Sequence, residues 1–374
     1  MYSKNTQCVH SKQQFDGVNT PVYTSTAYRY IGSNEILYPR NYNTVNQKVI
    51  VDKLCTLEQG EEGFIFSSGT AAITTALLTF LKSGDHIILS KEIYGGTVKL
   101  VEEEFPKFNI AFDFISNHDM VDLEAKIQDN TKVVYTETPS NPLLSIVDLQ
   151  AVAAVAKKHQ LVSIVDNTFA SPIIQNPIAL GFDVVIHSGT KYLGGHHDLC
   201  FGALITSKEL REKIYPSAVN YGGSLNPLDC YLIERSLKTL AIRVEKQSAN
   251  AMKVAVALQG NPLIAKVYYP GLTDHPNHQV AAKQMKGGFG GMLSFELKEP
   301  EQTVSFLNRL SLIIPALSLG GVETTICQPS TSSHAGLSPK EREEQGITDS
   351  LLRLSVGIED INDIIGDLNQ ALTV

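Results

Sequence analysis

Short apolar runs that alternate with helical patterns constrain the fold of this 374-residue chain more than any other feature. Helical patterns separate several of these runs, as at residues 71–82, 96–104 and 149–159. Strands that alternate with helices are typical of a mostly parallel α/β sheet. We therefore predict an α/β fold whose strands lie at residues 63–67, 86–90, 110–115, 132–137, 161–166, 183–187 and 201–206.

The rest of the chain has a different character. Apolar residues at helical spacing predict one long helix over residues 232–259, followed by strands near 267–269 and 292–297. Residues 1–45 are polar and aperiodic, which indicates an extended arm. At about 150 residues per domain, the length favours two domains. We predict an arm over 1–45, a large domain over 46–236 and a smaller α+β domain over 237–374.

Composition excludes several classes of function. The chain has 31 basic and 39 acidic residues and a net charge of −8. It therefore lacks the overall excess of basic residues that favours binding to nucleic acid or an anionic membrane. The five cysteines form no C-x-x-C pair, which disfavours a disulfide framework or a zinc ribbon. His196, His197 and Asp198 supply only part of a coordination shell, so we expect no metal. The N-terminal residues contain no apolar signal region, and we expect a cytoplasmic protein.

Ligands of an open parallel sheet bind beyond the carboxyl ends of its strands. Ser68, Gly69 and Thr70 lie between a predicted strand and a helix, where backbone N–H groups and the positive helix end suit a phosphate. The alternative is an ordinary N-cap, which Ser and Thr often provide.

Two further strand ends carry reactive side chains. Asp166 ends a buried run, where a carboxylate can keep a ring nitrogen protonated or simply cap a turn. Ser188 and Thr190 follow the next strand, and both hydroxyls can reach a phosphate. Lys191 beside them can attack an aldehyde once its pKa is lowered, although a lone lysine in a turn is usually a surface residue. Taken together, these parts fit pyridoxal phosphate.

The chain resembles the pyridoxal-phosphate enzymes of cysteine and methionine metabolism, which include cystathionine γ-synthase, the cystathionine lyases and methionine γ-lyase. The resemblance covers nearly the whole sequence. It rests on motifs that occur in family order: residues 68–72, 94–97, 137–142, 165–169, 187–192, 318–321 and 352–359.

The resemblance implies a fold-type-I large domain, a smaller C-terminal domain and a homotetramer built as a dimer of dimers. Tyr94 would stack on the cofactor ring, and Asn141 would approach the ring hydroxyl. Arg353, helped by Ser318, would bind the substrate carboxylate. Tyr38 and Arg40 match the family's Tyr-x-Arg, which reaches the phosphate of the neighbouring subunit, although the residues after Arg40 depart from the usual pattern.

Further departures concern the substrate. Leu37 and Leu317 occupy positions where γ-specific relatives often carry acids, and Lys99 replaces an arginine. Leucines offer no acceptor to the distal amino group of cystathionine. We therefore expect a trans-sulfuration carbon–sulfur lyase of the cystathionine β-lyase type in methionine biosynthesis, with an amino-acid thioether as substrate. Leu317 would line the substrate site. A γ-lyase, methionine γ-lyase, γ-replacement synthase or aminotransferase stays open, as does a non-catalytic cofactor-binding regulator.

Overall fold

A seven-stranded sheet forms the centre of the first part of the chain in this computed structural model, which describes residues 2–13, 15–116 and 120–373. The strand order is β1-β7-β6-β5-β4-β2-β3. Neighbours pair in parallel except at β7, which is antiparallel to both β1 and β6. The strands are β1 Glu62–Phe66, β2 His86–Ser90, β3 Ala111–Ile115, β4 Thr131–Glu137, β5 Val162–Asp166, β6 Val184–Ser188 and β7 Gly202–Thr206.

Helices cover this sheet on both faces. Successive residues of a strand point to opposite faces of its sheet. In β4, Tyr135 belongs to one buried cluster and Val134 to another, so both faces are covered. No described helix is both long and apolar enough to span a bilayer. The helices are α1 Lys4–Val9, α2 Val45–Glu58, α3 Gly69–Phe80, α4 Gly95–Lys99, α5 Met120–Ala125, α6 Leu149–Lys158, α7 Ser171–Ile174, α8 Lys208–Tyr221, α9 Pro227–Leu237, α10 Leu240–Gln259, α11 His278–Gln284, α12 Thr303–Arg309, α13 Pro339–Glu344 and α14 Ile361–Leu372.

A second sheet follows α10. Its order is β10-β11-β12-β9-β8, and only β10 and β11 pair in parallel. Residues of β9, β12, α10 and α14 share one buried cluster, so the sheet packs against these two helices. Its strands are β8 Ile264–Tyr268, β9 Met292–Leu297, β10 Ile314–Pro315, β11 Thr325–Cys327 and β12 Leu351–Ser355.

The predicted strands of the first sheet are confirmed, each to within one residue at both ends. The single long helix predicted over residues 232–259 is wrong, because α9 and α10 are separate helices. At the break, the Thr239 hydroxyl donates to the Ser236 carbonyl at 3.1 Å. The buried Arg243 guanidinium donates to the same carbonyl at 3.0 Å. These side-chain bonds replace helical ones, and apolar spacing continues across the break without revealing it.

The prediction that residues 1–45 form only an extended arm also needs correction at its start. Residues 4–9 form helix α1, whose Cys8 side chain is fully buried. The carbonyl of Cys8 accepts a hydrogen bond from the buried Lys53 amine at 2.9 Å. Six residues are too few to show helical periodicity, so the pattern gave no sign of this helix.

Candidate active site

The carboxyl ends of three neighbouring strands converge on one edge of the seven-stranded sheet. Glu137 ends β4 and Asp166 ends β5, and the two residues are direct partners in the strand register. Ser188 ends β6, three residues before Lys191. This is the edge at which open parallel sheets bind ligands.

Lys191 lies against a loop from the second sheet. Its Nζ donates to Ser318 Oγ at 2.8 Å. Burial and the positive charge of Arg353 lower the pKa of the Lys191 amine, against opposing contributions from Cys200 and Asp166. A lowered pKa makes more of the neutral, nucleophilic amine available near neutral pH.

The loop that carries Ser318 can reach Lys191 because it contains Gly320. This glycine has φ +79°, and a Cβ there would lie 2.8 Å from the Tyr192 backbone nitrogen. Its N–H donates to Ser355 Oγ at 2.8 Å, which fastens the loop to β12. Any larger residue would push the Ser318 loop away from Lys191.

Asp166 is buried at the centre of the site. The Thr168 backbone N–H donates to its Oδ1 at 2.9 Å. Burial raises the pKa of Asp166, whereas the hydrogen bonds from Thr168 and the charges of His187 and Lys191 oppose the rise. A carboxylate in this position can bind a protonated ring nitrogen.

The start of α3 lies beside Ser188. Ser68 accepts a hydrogen bond from the Ala71 N–H at 3.0 Å, so the N-cap interpretation holds for its side chain. A Cβ on Gly69 would lie 2.9 Å from Ser188 Cβ, so the glycine lets the helix start approach β6 closely. Thr70 is exposed at this helix start.

Thr190 contacts the backbone of Phe201. Its hydroxyl donates to the Phe201 carbonyl at 3.3 Å and accepts from the Phe201 N–H at 3.1 Å. These bonds brace the turn that carries Lys191. A role of Thr190 at a phosphate therefore stays a prediction, as do those of Ser188 and Thr70.

Arg353 lies on β12 and is only 4% exposed. Its Nη1 donates to Asn141 Oδ1 at 2.7 Å, which joins two residues 212 positions apart in the chain. Buried His334 lies next to this pair. Burial and the Arg353 charge lower the pKa of His334 to about 4. His334 was missed by the sequence analysis, because nothing in its local pattern connects it to Arg353.

Tyr94 lies at the mouth of the site, with its side chain 47% exposed. Its backbone N–H donates to Glu137 Oε2 at 2.7 Å. Burial and the nearby Asp166 carboxylate raise the pKa of Glu137 well above its usual range, against the Tyr94 N–H and the Arg353 charge. Glu137 belongs to a motif that the sequence analysis identified, but that analysis gave it no role, although its position at a strand end matches that of Asp166.

The remaining predicted residues lie further out. Arg40 Nη1 donates to the Val219 carbonyl at 3.2 Å, and its guanidinium lies 5.9 Å from the centre of the Tyr38 ring. Leu317, next to Ser318, is 66% exposed. His196 Nδ1 lies 2.8 Å from the Gly194 carbonyl oxygen.

These residues fit pyridoxal phosphate. The edge of the sheet offers a buried carboxylate for the ring nitrogen and an amine of lowered pKa for the aldehyde. The start of the twelve-residue helix α3 offers backbone N–H groups for a phosphate. Arg353 offers a planar guanidinium for a substrate carboxylate.

Comparison with known proteins agrees with this chemistry. The family model described as "Cys/Met metabolism PLP-dependent enzyme" matches residues 5–373. The cystathionine beta-lyase of Lactococcus lactis subsp. cremoris (strain MG1363) is 43% identical over 380 residues, covering 100% of this chain and 99% of that protein. The cystathionine gamma-lyase of Bacillus subtilis (strain 168) is 41% identical and covers 99% of both chains.

A solved structure has the same fold. The cystathionine gamma-lyase from Lactobacillus plantarum, complexed with L-serine, superposes with a TM-score of 0.94 at 39% identity and covers 99% of this chain and 98% of its own. The predicted fold type I architecture and pyridoxal-phosphate cofactor are thereby confirmed, and a carbon–sulfur lyase is supported at the level of the family. The chain therefore belongs to the pyridoxal-phosphate-dependent enzymes of cysteine and methionine metabolism.

Proposed function

We propose that this enzyme is a carbon–sulfur lyase of the cystathionine β-lyase type. In this reaction cystathionine and water give homocysteine, pyruvate and ammonia. The observation that carries the proposal is the contact between Lys191 and Ser318. Asp166 and Arg353 lie beside this contact, so the site combines a proton-accepting amine with an arginine that can bind a carboxylate. Pyridoxal phosphate, when bound, supplies the electron sink that such an elimination needs.

Each side chain of the site has its own role in the elimination. Arg353, held by Asn141, binds the α-carboxylate of the substrate and orients its Cα–H bond. The Lys191 amine removes the Cα proton as general base. The Cβ–S bond then breaks, and Tyr94 or Lys191 protonates the departing sulfur. Asp166 keeps the ring nitrogen protonated throughout.

The preference for β-elimination rests on Leu317 and Leu37. Both are apolar, so neither can accept a hydrogen bond from the distal ammonium of cystathionine. An unpaired buried charge is costly, so this ammonium stays at the exposed mouth, where Leu317 lies. That binding mode suits cleavage one carbon from Cα. The γ-lyase type is the second candidate, favoured by the relatives of that name.

The keto acid released from cystathionine separates the two candidates. We expect the wild type to give mainly pyruvate, and Leu317→Glu to shift the product towards 2-oxobutyrate. Leu317→Gln is the matched control, because it has nearly the same shape without the charge. A wild type that releases predominantly 2-oxobutyrate would refute the β-lyase proposal.

A second experiment tests the assignment of Lys191. Borohydride reduction of the holoenzyme, followed by peptide mapping, should attach the cofactor covalently to this residue. Lys191→Ala should lose both the adduct and the turnover, because the amine is the nucleophile and the base. The exposed Lys99 provides the control, since Lys99→Ala should keep the adduct. Labelling of another lysine would show that the assignment is wrong.

We also propose a cytoplasmic homotetramer whose chains comprise an arm (1–45), a cofactor domain (46–236) and a small domain (237–374). Exposed apolar residues on the arm support the assembly, because a neighbouring subunit would cover them: Tyr23, Tyr30, Ile31 and Ile36. The five cysteines are all unpaired, as a reducing compartment requires. Mass measurement in solution tests the tetramer.

A further inference from the structure

A fully buried carboxylate lies just behind the proposed reacting groups. Glu58 is the last residue of α2 and is 0% exposed. Its Oε1 lies 2.6 Å from His187 Nε2 and accepts the Asn167 side-chain N–H at 2.9 Å. Its Oε2 accepts from the Asn176 amide at 3.2 Å. Burial of a carboxylate is costly unless such partners compensate it.

Both partners of Glu58 Oε1 flank Asp166. Asn167 follows Asp166 directly in the chain. His187 lies on β6, next to Ile186, which is the register partner of Asp166. A positive charge on His187 lowers the pKa of Asp166. One oxygen atom of Glu58 therefore joins the residue that follows Asp166 to the residue that follows its register partner on β6.

The charges around Asp166 indicate what the contacts of Glu58 contribute besides packing. Glu137 on β4 is the register partner of Asp166, and the charge of Asp166 raises the pKa of Glu137. A positive charge on Lys191 or His187 lowers the pKa of Asp166. The Lys4 amine is a cation near Glu58. Buried ion pairs contribute little to stability compared with apolar residues of the same volume. A buried carboxylate–imidazole pair is better explained by what it does to Asp166 than by folding energy.

We propose that Glu58 is a positioning residue of the cofactor site. Through His187 and Asn167 it fixes the orientation of Asp166 and keeps that carboxylate charged towards the ring nitrogen. The inference rests on the proposed role of Asp166. Glu58 itself contacts no reacting atom.

The test compares Glu58→Gln with the wild type, using pyridoxal phosphate labelled with nitrogen-15 in its ring. We expect the ring-nitrogen resonance to move towards that of an unprotonated pyridine. We expect kcat to fall about tenfold or more, with KM within about threefold. In an Asp166→Asn background, Glu58→Gln should cause no further loss, because both changes act on one interaction.

Asp367→Asn is the matched control. This carboxylate lies on α14 and accepts the backbone N–H groups of Ser311, Leu312 and Ile313. It should lower stability without moving the resonance. If Glu58→Gln does not fold, His187→Phe serves instead, because it removes the imidazole that bonds to Glu58 while keeping a planar ring.

Two results would overturn the inference. An unmoved resonance in folded Glu58→Gln, or equal losses of kcat with and without Asp166→Asn, would show that Glu58 acts only as structural support. If Asp166→Asn itself kept the wild-type resonance and kcat, the role of Asp166 would fail, and this inference with it. The single and double variants thus distinguish the two failures.

Discussion

At the scale of single residues, Arg353 allows a sharp test. Its guanidinium is buried and bonded to Asn141, so a lysine would keep the charge but lose the planar fork. We predict that Arg353→Lys raises KM by about tenfold or more for every amino-acid substrate alike. Steady-state kinetics with cystathionine, cysteine and methionine measure this, with Arg309→Lys as control. Altered preference among these side chains at unchanged KM would contradict the prediction.

The residues that sequence reasoning identified share one property. Asp166 and Ser188 end strands and Lys191 lies three residues after one, and parallel strands bring their carboxyl ends to one edge. Glu58 and His334 have no such relation to the sheet. His334 lies in a loop after β11, and it meets Arg353 of β12 and the backbone of Asn141 only when that loop folds back over them. Local patterns contain no information about such packing.

At the scale of elements, the break between α9 and α10 depends on Arg243. Its guanidinium donates to the carbonyls of Tyr192 and Ser236 at 2.8 and 3.0 Å. We predict that Arg243→Met lowers the free energy of unfolding by about 2–4 kcal/mol, because it takes the guanidinium donor from the buried Tyr192 carbonyl and leaves the Ser236 carbonyl to Thr239 alone. Urea unfolding at matched cofactor occupancy measures the change. Arg235→Met, on the exposed face of α9, should cost less than about 0.5 kcal/mol.

Strands were predictable because each is a short apolar run with turn residues at its ends. The break after Leu237 was not, because apolar spacing continues through α10 and the bonds that end α9 come from Thr239 and Arg243 side chains. A pattern of apolar residues reports which face of a helix is buried. It does not indicate where a buried side chain donates a hydrogen bond to a backbone carbonyl in place of a helical N–H group.

At the scale of the whole molecule, the arm provides the test of assembly. If Tyr38 and Arg40 serve the neighbouring subunit, two inactive variants can complement each other. We predict that mixing Arg40→Ala with Lys191→Ala regenerates partial activity, since some sites in the hybrids receive both intact parts. The measurement is activity after subunit exchange, with each variant alone as control. Hybrids that form without any recovery would show that the arm serves its own chain.

The loop that contains Gly320 packs against Tyr192 and brings Ser318 to Lys191, and this has a consequence for the synthesis of the enzyme. Lys191 and Ser318 are 127 residues apart in the chain. Ribosomes add about 5–20 residues per second, so the lysine precedes its partner by many seconds. During that interval the nascent chain carries the Lys191 amine without the loop that covers it and without Arg353, which lowers the pKa of that amine. Productive capture of the cofactor therefore has to wait until the second sheet has folded onto the first.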